Sequence, residues 1–305
     1  VVDVLAANRR IWFDRDRLTT LSVAAARALA APSNVALSFS ALADISPEVA
    51  AALTTNNQDP LSLNGLKTLS PDVARELARH QGDLALLGLD SLDRDAATIL
   101  AEHRGALSLG LKTLDPETAH RLARHRNALQ FDQLETLDPR TAAALAGGPR
   151  LLSFNALREI DAGTARALAA HDDTLSLCGL ASLPPDVAEP LLADRPPAAG
   201  DRQPELGADI GLLTGLSPRI AAALVQRGTR NGEEFVLSNI ETLDSAEAAQ
   251  TLASTQQRIV LPRLRRVNPA ALAALKTNPL IETPAEETLE LLPNIDGSAD
   301  DFVVP

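Results

Sequence analysis

Aromatic and sulfur-bearing residues are nearly missing from this chain. Its 305 residues include no Tyr and no Met, one Trp, one Cys and six Phe, so aromatics make up only 2%. A core built without them rests on Leu, Ala and Val, which suits many thin, similar layers better than one large irregular interior. The lone Cys178 excludes an intrachain disulfide framework and a zinc site made of several thiolates. No apolar run approaches the length of a membrane-spanning helix. Net positive charge is also lacking: the formal charge is −12, with residues 1–150 near −2 and residues 151–305 near −10. That balance argues against a general nucleic-acid binder, which needs a basic surface.

What the chain does have is self-similarity. LSLNGLKTLSPDVARELARHQGD (61–83) is followed by LALLGLDSLDRDAATILAEHRGA (84–106), LSLGLKTLDPETAHRLARHRNA (107–128), LQFDQLETLDPRTAAALAGGPRL (129–151) and LSFNALREIDAGTARALAAHDDT (152–174). The period is 22–24 residues, and weaker copies begin near Ile11, Leu37, Leu175, Ala208, Phe235 and Ile259, eleven in all. Such a period marks a stack of supersecondary units.

Each position within a copy has a physical reading. Positions 1 and 3 are apolar (Leu61 and Leu63; Leu129 and Phe131), which predicts a short strand with one buried face. Phe13, Phe39, Phe131 and Phe154 all stand at position 3, so they read as core. Positions 6 and 9 are again Leu or Ile. Around position 10 stand Ser22, Ser46, Ser70, Asp93, Asp115, Asp138, Asp161, Ser217, Asp244 and Asn268, often followed by Pro. An N-cap side chain followed by Pro at the first helical position is the natural reading. The helix that follows is expected to span about ten residues, with Val73, Ala74, Leu77 and Ala78 on its inner face. One copy cannot bury enough apolar surface to offset the ordering of some two dozen residues, so stacking is obligatory.

These motifs resemble leucine-rich repeats, in the LxLxGLxxLsxxxAxxLaxHxg variant of planctomycete and related bacterial proteins. The resemblance implies an α/β solenoid, with a parallel sheet on the concave face, short helices on the convex face, and binding as the usual role. The chain departs from the best-known pattern in that Leu66, Leu89, Leu111 and Leu134 replace an Asn ladder.

The domain organisation follows from where the pattern weakens. Residues 1–10 read as an N-terminal half-repeat or cap helix, a chain opening in mid-repeat that suggests either a cap or a piece of something longer. Residues 11–192 hold repeats one to eight, and 193–207 a Pro-rich insertion loop. Repeats nine to eleven occupy 208–279, a C-terminal cap 280–293, and an acidic tail or linker 294–305. Pro190 is expected to end its helix early. Thr283, Pro284 and Glu286 predict a capping helix over 284–292.

The candidate binding residues are those at strand positions 2 and 4, which face solvent: Trp12, Asp14, Asn64, Leu87, Gln130, Asp132, Asn155 and Cys178. Trp12 and Leu87 stand out as large apolar groups on a surface. Ser38, Ser62, Ser108, Ser153 and Ser176 form a ladder at position 2, but no His or Asp recurs beside them to act as a base. His80, His103, His125 and His171 share position 20. They suggest a metal column, but a His at a helix C-terminus, favoured by the dipole and bonding terminal carbonyls, is the better reading. Arg75, Arg79, Arg104, Arg121, Arg124 and Arg126 gather on the helix side, where dipole pairing and solvation outweigh an anion site. No catalytic motif, cofactor motif or metal set emerges. The expectation is therefore a non-catalytic scaffold for a protein or peptide, without cofactor, membrane span or nucleic-acid partner. The alternatives are a structural assembly component packing through its edges or convex face, or a targeting domain of a larger protein.

Overall fold

A computed structural model describes residues 15–31, 36–55, 58–193, 206–207, 209–231 and 234–293. They divide into two compact units, one within Val1–Ala181 and Arg195–Ala208, the other within Ser182–Asp194 and Asp209–Pro305.

The first unit alternates strands β1 (Leu37–Ser38), β2 (Leu61–Ser62), β3 (Leu84–Leu86), β4 (Leu107–Leu109), β5 (Ala128–Phe131), β6 (Leu151–Phe154), β7 (Thr174–Ser176) and β8 (Leu206–Gly207) with helices. The helices are α1 (Val23–Ala30), α2 (Pro47–Leu53), α3 (Pro71–Ala78), α4 (Arg94–Leu100), α5 (Pro116–Leu122), α6 (Pro139–Leu145) and α7 (Ala162–Ala169). The strands form one parallel sheet in chain order. Position 1 pairs with position 1 throughout: Leu37 with Leu61, Leu61 with Leu84, Leu84 with Leu107, Leu107 with Leu129. The same column continues from Leu152 to Leu175 and on to Leu206. The ninth copy's strand, β8, therefore begins two residues before the Ala208 expected from spacing, because Leu206 pairs with Leu175.

Beneath the sheet the core is Leu, Ala and Phe. Phe39, Phe131 and Phe154 are fully buried, and the last two rings stack 5.6 Å apart. Leu66, Leu89, Leu111, Leu134 and Leu157 are also buried, so an apolar column runs where an Asn ladder would stand. Each such side chain stabilises the fold by about 1.5–3 kcal/mol.

The helices are seven or eight residues long, shorter than expected. Their last turn tightens: the backbone N–H groups of His80, His103, His125 and His171 each donate to the Leu carbonyl three residues earlier. Helices this short are marginal alone and persist through packing. Their N-caps come in two chemistries. Ser46 and Ser70 cap helices whose third residue is Val49 or Val73. Asp115 and Asp138 cap helices whose third residue is a buried Thr, and the Thr118 and Thr141 hydroxyls donate back to the capping carboxylates at 2.6 and 2.5 Å. The inner-face pattern thus admits Thr where its hydroxyl finds a partner inside the cap.

The second unit contains α8 (Pro185–Ala193), α9 (Pro218–Asn231), α10 (Ala246–Ala253) and α11 (Pro269–Leu275). Its strands are β9 (Phe235–Val236), β10 (Thr242–Leu243), β11 (Ile259–Val260), β12 (Arg266–Val267), β13 (Ile281–Glu282) and β14 (Glu290–Leu291). They form two three-stranded parallel sheets, β9-β11-β13 and β10-β12-β14.

Three expectations are corrected here. Pro190 lies inside α8, which continues to Ala193; its ring is buried, and the bond it forfeits involves only the exposed first turn at Asp186. The N-cap of α10 is Ser245, not Asp244, because the Ser245 hydroxyl accepts from the Ala248 N–H. Residues 284–292 form no capping helix. A three-residue 3-10 turn (Glu286–Thr288) leads into β14, where the Glu290 and Leu292 N–H groups donate to the Arg265 and Val267 carbonyls. Pairing with β12 satisfies backbone groups that a solvent-exposed helix would have left to water.

Candidate functional site

A parallel sheet normally has both faces covered by helices. In the first unit the helices take one face, and the side chains at positions 2 and 4 occupy the other. Asn155 and Cys178 are exposed, and Asn64, Leu87, Gln130 and Asp132 are half-buried. Trp12 and Asp14 lie outside the described residues.

Cross-strand hydrogen bonds organise this face. The Ser108 hydroxyl on β4 donates to Gln130 Oε1 on β5 at 2.9 Å. Asn155 Nδ2 donates to Asp132 Oδ1 at 2.7 Å, and the buried Ser153 hydroxyl donates to Asn155 Oδ1 at 3.2 Å. Gln130, Asp132 and Asn155 are thereby gathered on β5 and β6. Asn64 stands apart: its Oδ1 accepts from the Leu87 N–H at 3.0 Å, a strut between successive repeats. Cys178 meets the Ser176 hydroxyl at 3.3 Å, at the far side of β7.

Leu87 is not the exposed apolar group that the spacing suggested. It is half-buried, and its carbonyl accepts from Gln133 Nε2 at 2.8 Å, two repeats away. The copy that follows carries a deletion. The copy starting at Leu107 lacks position 4, so Gly110 follows Leu109 directly. A Cβ on Gly110 would lie 1.8 Å from the Leu87 carbonyl oxygen. Over this shortened copy the Gln133 carboxamide reaches from β5 to β3. Position-2-and-4 logic missed Gln133; the 22-residue period and a Gln where Gly65, Gly88 and Gly179 stand were the available signals. The exposed large apolar groups among the described residues are Val236, Leu280 and Leu291, all in the second unit.

The histidines are core residues. His80, His103, His125 and His171 are at most 3% exposed, and the first three rings stack nearly parallel at 6.3 and 6.2 Å. The expected bonding to carbonyls is seen for His80, His125 and His171, but burial rather than the helix dipole governs the charge of the stacked rings. Burial pushes all three stacked rings below the ordinary histidine range. For His103 the flanking His125 and His80 add to burial and bring it down to about 4. The carbonyls they bond belong partly to neighbouring repeats: His80 Nε2 meets Asp59 O at 2.9 Å, and His171 Nδ1 meets Ala146 O at 2.9 Å. In the second unit Asn278 does the same work, donating to Ala253 O and Thr255 O at 3.0 and 2.7 Å. The shared role is a polar staple between helix ends. His103 differs. The Ala78 and Gly82 carbonyls lie near enough to favour a proton on it, but neither ring nitrogen makes a hydrogen bond. Among the described residues no three His, Cys, Asp or Glu side chains are placed to hold a metal ion, and no helix is long and apolar enough to cross a membrane.

The repeated strand, turn and short helix, with every strand parallel and in register, decides the architecture. The fold is that of a leucine-rich-repeat array. No protein-family model and no curated protein matches the chain. Among solved structures, a leucine-rich-repeat protein of Leptospira interrogans is similar, with 18% identity over 91% of this chain and 78% of that one and a TM-score of 0.46. A chain of the yeast Rad7–Elc1 complex is similar at 13% identity, over 87% and 82% of the two chains, with a TM-score of 0.36.

Proposed function

We propose that this leucine-rich-repeat array is a non-catalytic scaffold, and that the helix-free face of its eight-stranded sheet receives a protein or peptide. The observation that carries the reading is a parallel sheet with one face left to side chains alone, where Gln130, Asp132 and Asn155 are already held by cross-strand bonds. Pre-ordered polar groups lose less side-chain freedom on binding, which favours affinity and specificity. Leu87 contributes half-buried apolar area at the edge of this cluster. In the serine ladder the Ser108, Ser153 and Ser176 hydroxyls are engaged with Gln130, Asn155 and Cys178, and the one pairing with an acid, Ser38 with Asp16, does not recur along these three, which supports binding over catalysis.

The test is a pull-down from cell extract with wild type, Asp132→Arg/Asn155→Arg and Arg75→Glu/Arg79→Glu, each first shown to be folded by circular dichroism. Loss of a partner in the sheet-face variant alone is the expected result. Loss in the helix-side variant alone would refute the sheet-face assignment. Capture of nothing but further copies of the chain would favour an assembly component.

A further inference from the structure

Independently of the sheet face, the helix side of the first unit carries a cleft of about 370 Å³ at the C-terminal ends of α4 and α5. Arg104, Arg124 and Arg126 line it, with Glu102 as the one acid, and His103 is among the other lining residues. The repeat builds this concentration of charge. Arg104 and Arg126 each directly follow a stacked histidine, whereas Gln81 and Asp172 hold that place after His80 and His171. The stacking of His103 on His125, 6.2 Å between ring centres, holds the two arginines on adjacent repeats.

Two other arginines on this side are neutralised by a neighbour one turn away. Arg75 pairs with Asp72 at 2.6 Å, and Arg79 with Glu76 at 2.7 Å. Arg104, Arg124 and Arg126 enter no ion pair among the described residues. Two helix C-termini, each worth about half a negative charge, and Glu102 oppose them, and three guanidiniums leave the cleft positive. Next to them is His103, 3% exposed and without a hydrogen bond at either ring nitrogen. Cations without an acidic partner in a concave site form an arrangement that a bound anion relieves.

We propose that this cleft binds a tetrahedral phosphate group, as the free ion or as a phosphate monoester. A carboxylate has two oxygens and is satisfied by one guanidinium, whereas a cleft lined by three arginines offers donors in the number that phosphate accepts. The cleft volume leaves room for the carbon bearing a monoester. Arg121, whose guanidinium donates to Thr98 Oγ1 at 3.3 Å beside the cleft, helps to hold its wall.

The experiment is calorimetric titration of the whole chain at pH 7.5 and low salt with inorganic phosphate, O-phosphoserine and succinate. Saturable binding of phosphate or phosphoserine is expected, with succinate weaker. It should weaken about tenfold or more in Arg104→Gln/Arg126→Gln and stay within about twofold in Arg75→Gln/Arg79→Gln. Tighter binding of phosphoserine than of the free ion assigns the monoester as ligand, and the reverse assigns the ion. Phosphate should also move the His103 ring resonances in a histidine-selective spectrum, a readout that general charge screening would not give. No saturable binding at about 20 mM ligand, equal losses in both variants, or preference for succinate would each overturn the proposal.

Discussion

Acidification from pH 7.5 to pH 5 is expected to destabilise the first unit, with His103 as the largest contributor. Its ring is 3% exposed and stands between His80 and His125, with the Ala78 and Gly82 carbonyls near its edge and Arg104, Arg124, Arg126 and Glu102 around the adjoining cleft. The unfolded chain takes up a proton at this histidine as pH falls through 6.5, whereas the folded chain resists until about 4. The folded pKa is the lower one, so the stability is fully present above 6.5 and is lost progressively as pH falls toward 4. Between pH 7.5 and pH 5 the loss from this residue comes to about 2 kcal/mol, and below pH 4 it approaches about 3 kcal/mol. His80 and His125 are shifted in the same direction and add to it. Urea unfolding in phosphate-free buffers at several pH values, for wild type and His103→Gln, measures the effect as a difference in slope against pH, so a uniform cost of the substitution cancels. Because a repeat array need not unfold in one step, a direct titration of the His103 ring by NMR should accompany it. Equal losses in both proteins between pH 7.5 and 5, or a His103 midpoint near 6.5, would refute the reasoning.

The capping assignment predicts that Asp115→Ala costs about 1 kcal/mol through the lost bonds to the Glu117 and Thr118 N–H groups. Leu122→Ala, fully buried on the same helix, should cost about 2–5 kcal/mol; equal losses in denaturant midpoint would contradict the inside–outside assignment. The capping carboxylates of Asp115 and Asp138 are held below the ordinary range chiefly by the Thr118 and Thr141 hydroxyls. Their contribution is present above about pH 4 and disappears only at lower pH, after most of the histidine loss. Gly110→Ala should destabilise by several kcal/mol because its Cβ meets the Leu87 carbonyl at 1.8 Å. Gly147→Ala, with nothing within 4 Å, should be neutral or stabilising by up to about 1 kcal/mol in thermal unfolding. A Gly110→Ala protein as stable as wild type would mean that the shortened copy relaxes freely.

Register, capping and the identity of the core were legible in the chain because they depend on residues close in sequence. Leu61 and Leu63 had to face one way since successive strand residues alternate, and Ser70 before Pro71 had to start a helix since few other pairs satisfy its first turn. Repetition turned those local rules into a fold, because equal periods bring equal positions together: Leu84 on Leu107, Phe131 on Phe154. What local rules could not supply is burial and reach between copies. Position 20 read as a helix C-terminus from within one repeat, and only stacking of the repeats made His103 a buried base. Leu87 looked exposed from strand alternation, but it is half-buried, and Gln133 reaches its carbonyl from two strands away. The segment 284–292 had a helical signature, yet the open edge of β12 offered its backbone better partners. Local propensity and spacing therefore determined which residues form the repeat. Tertiary stacking alone decided which polar groups lie buried, which are joined across the sheet, and which arginines line one cleft.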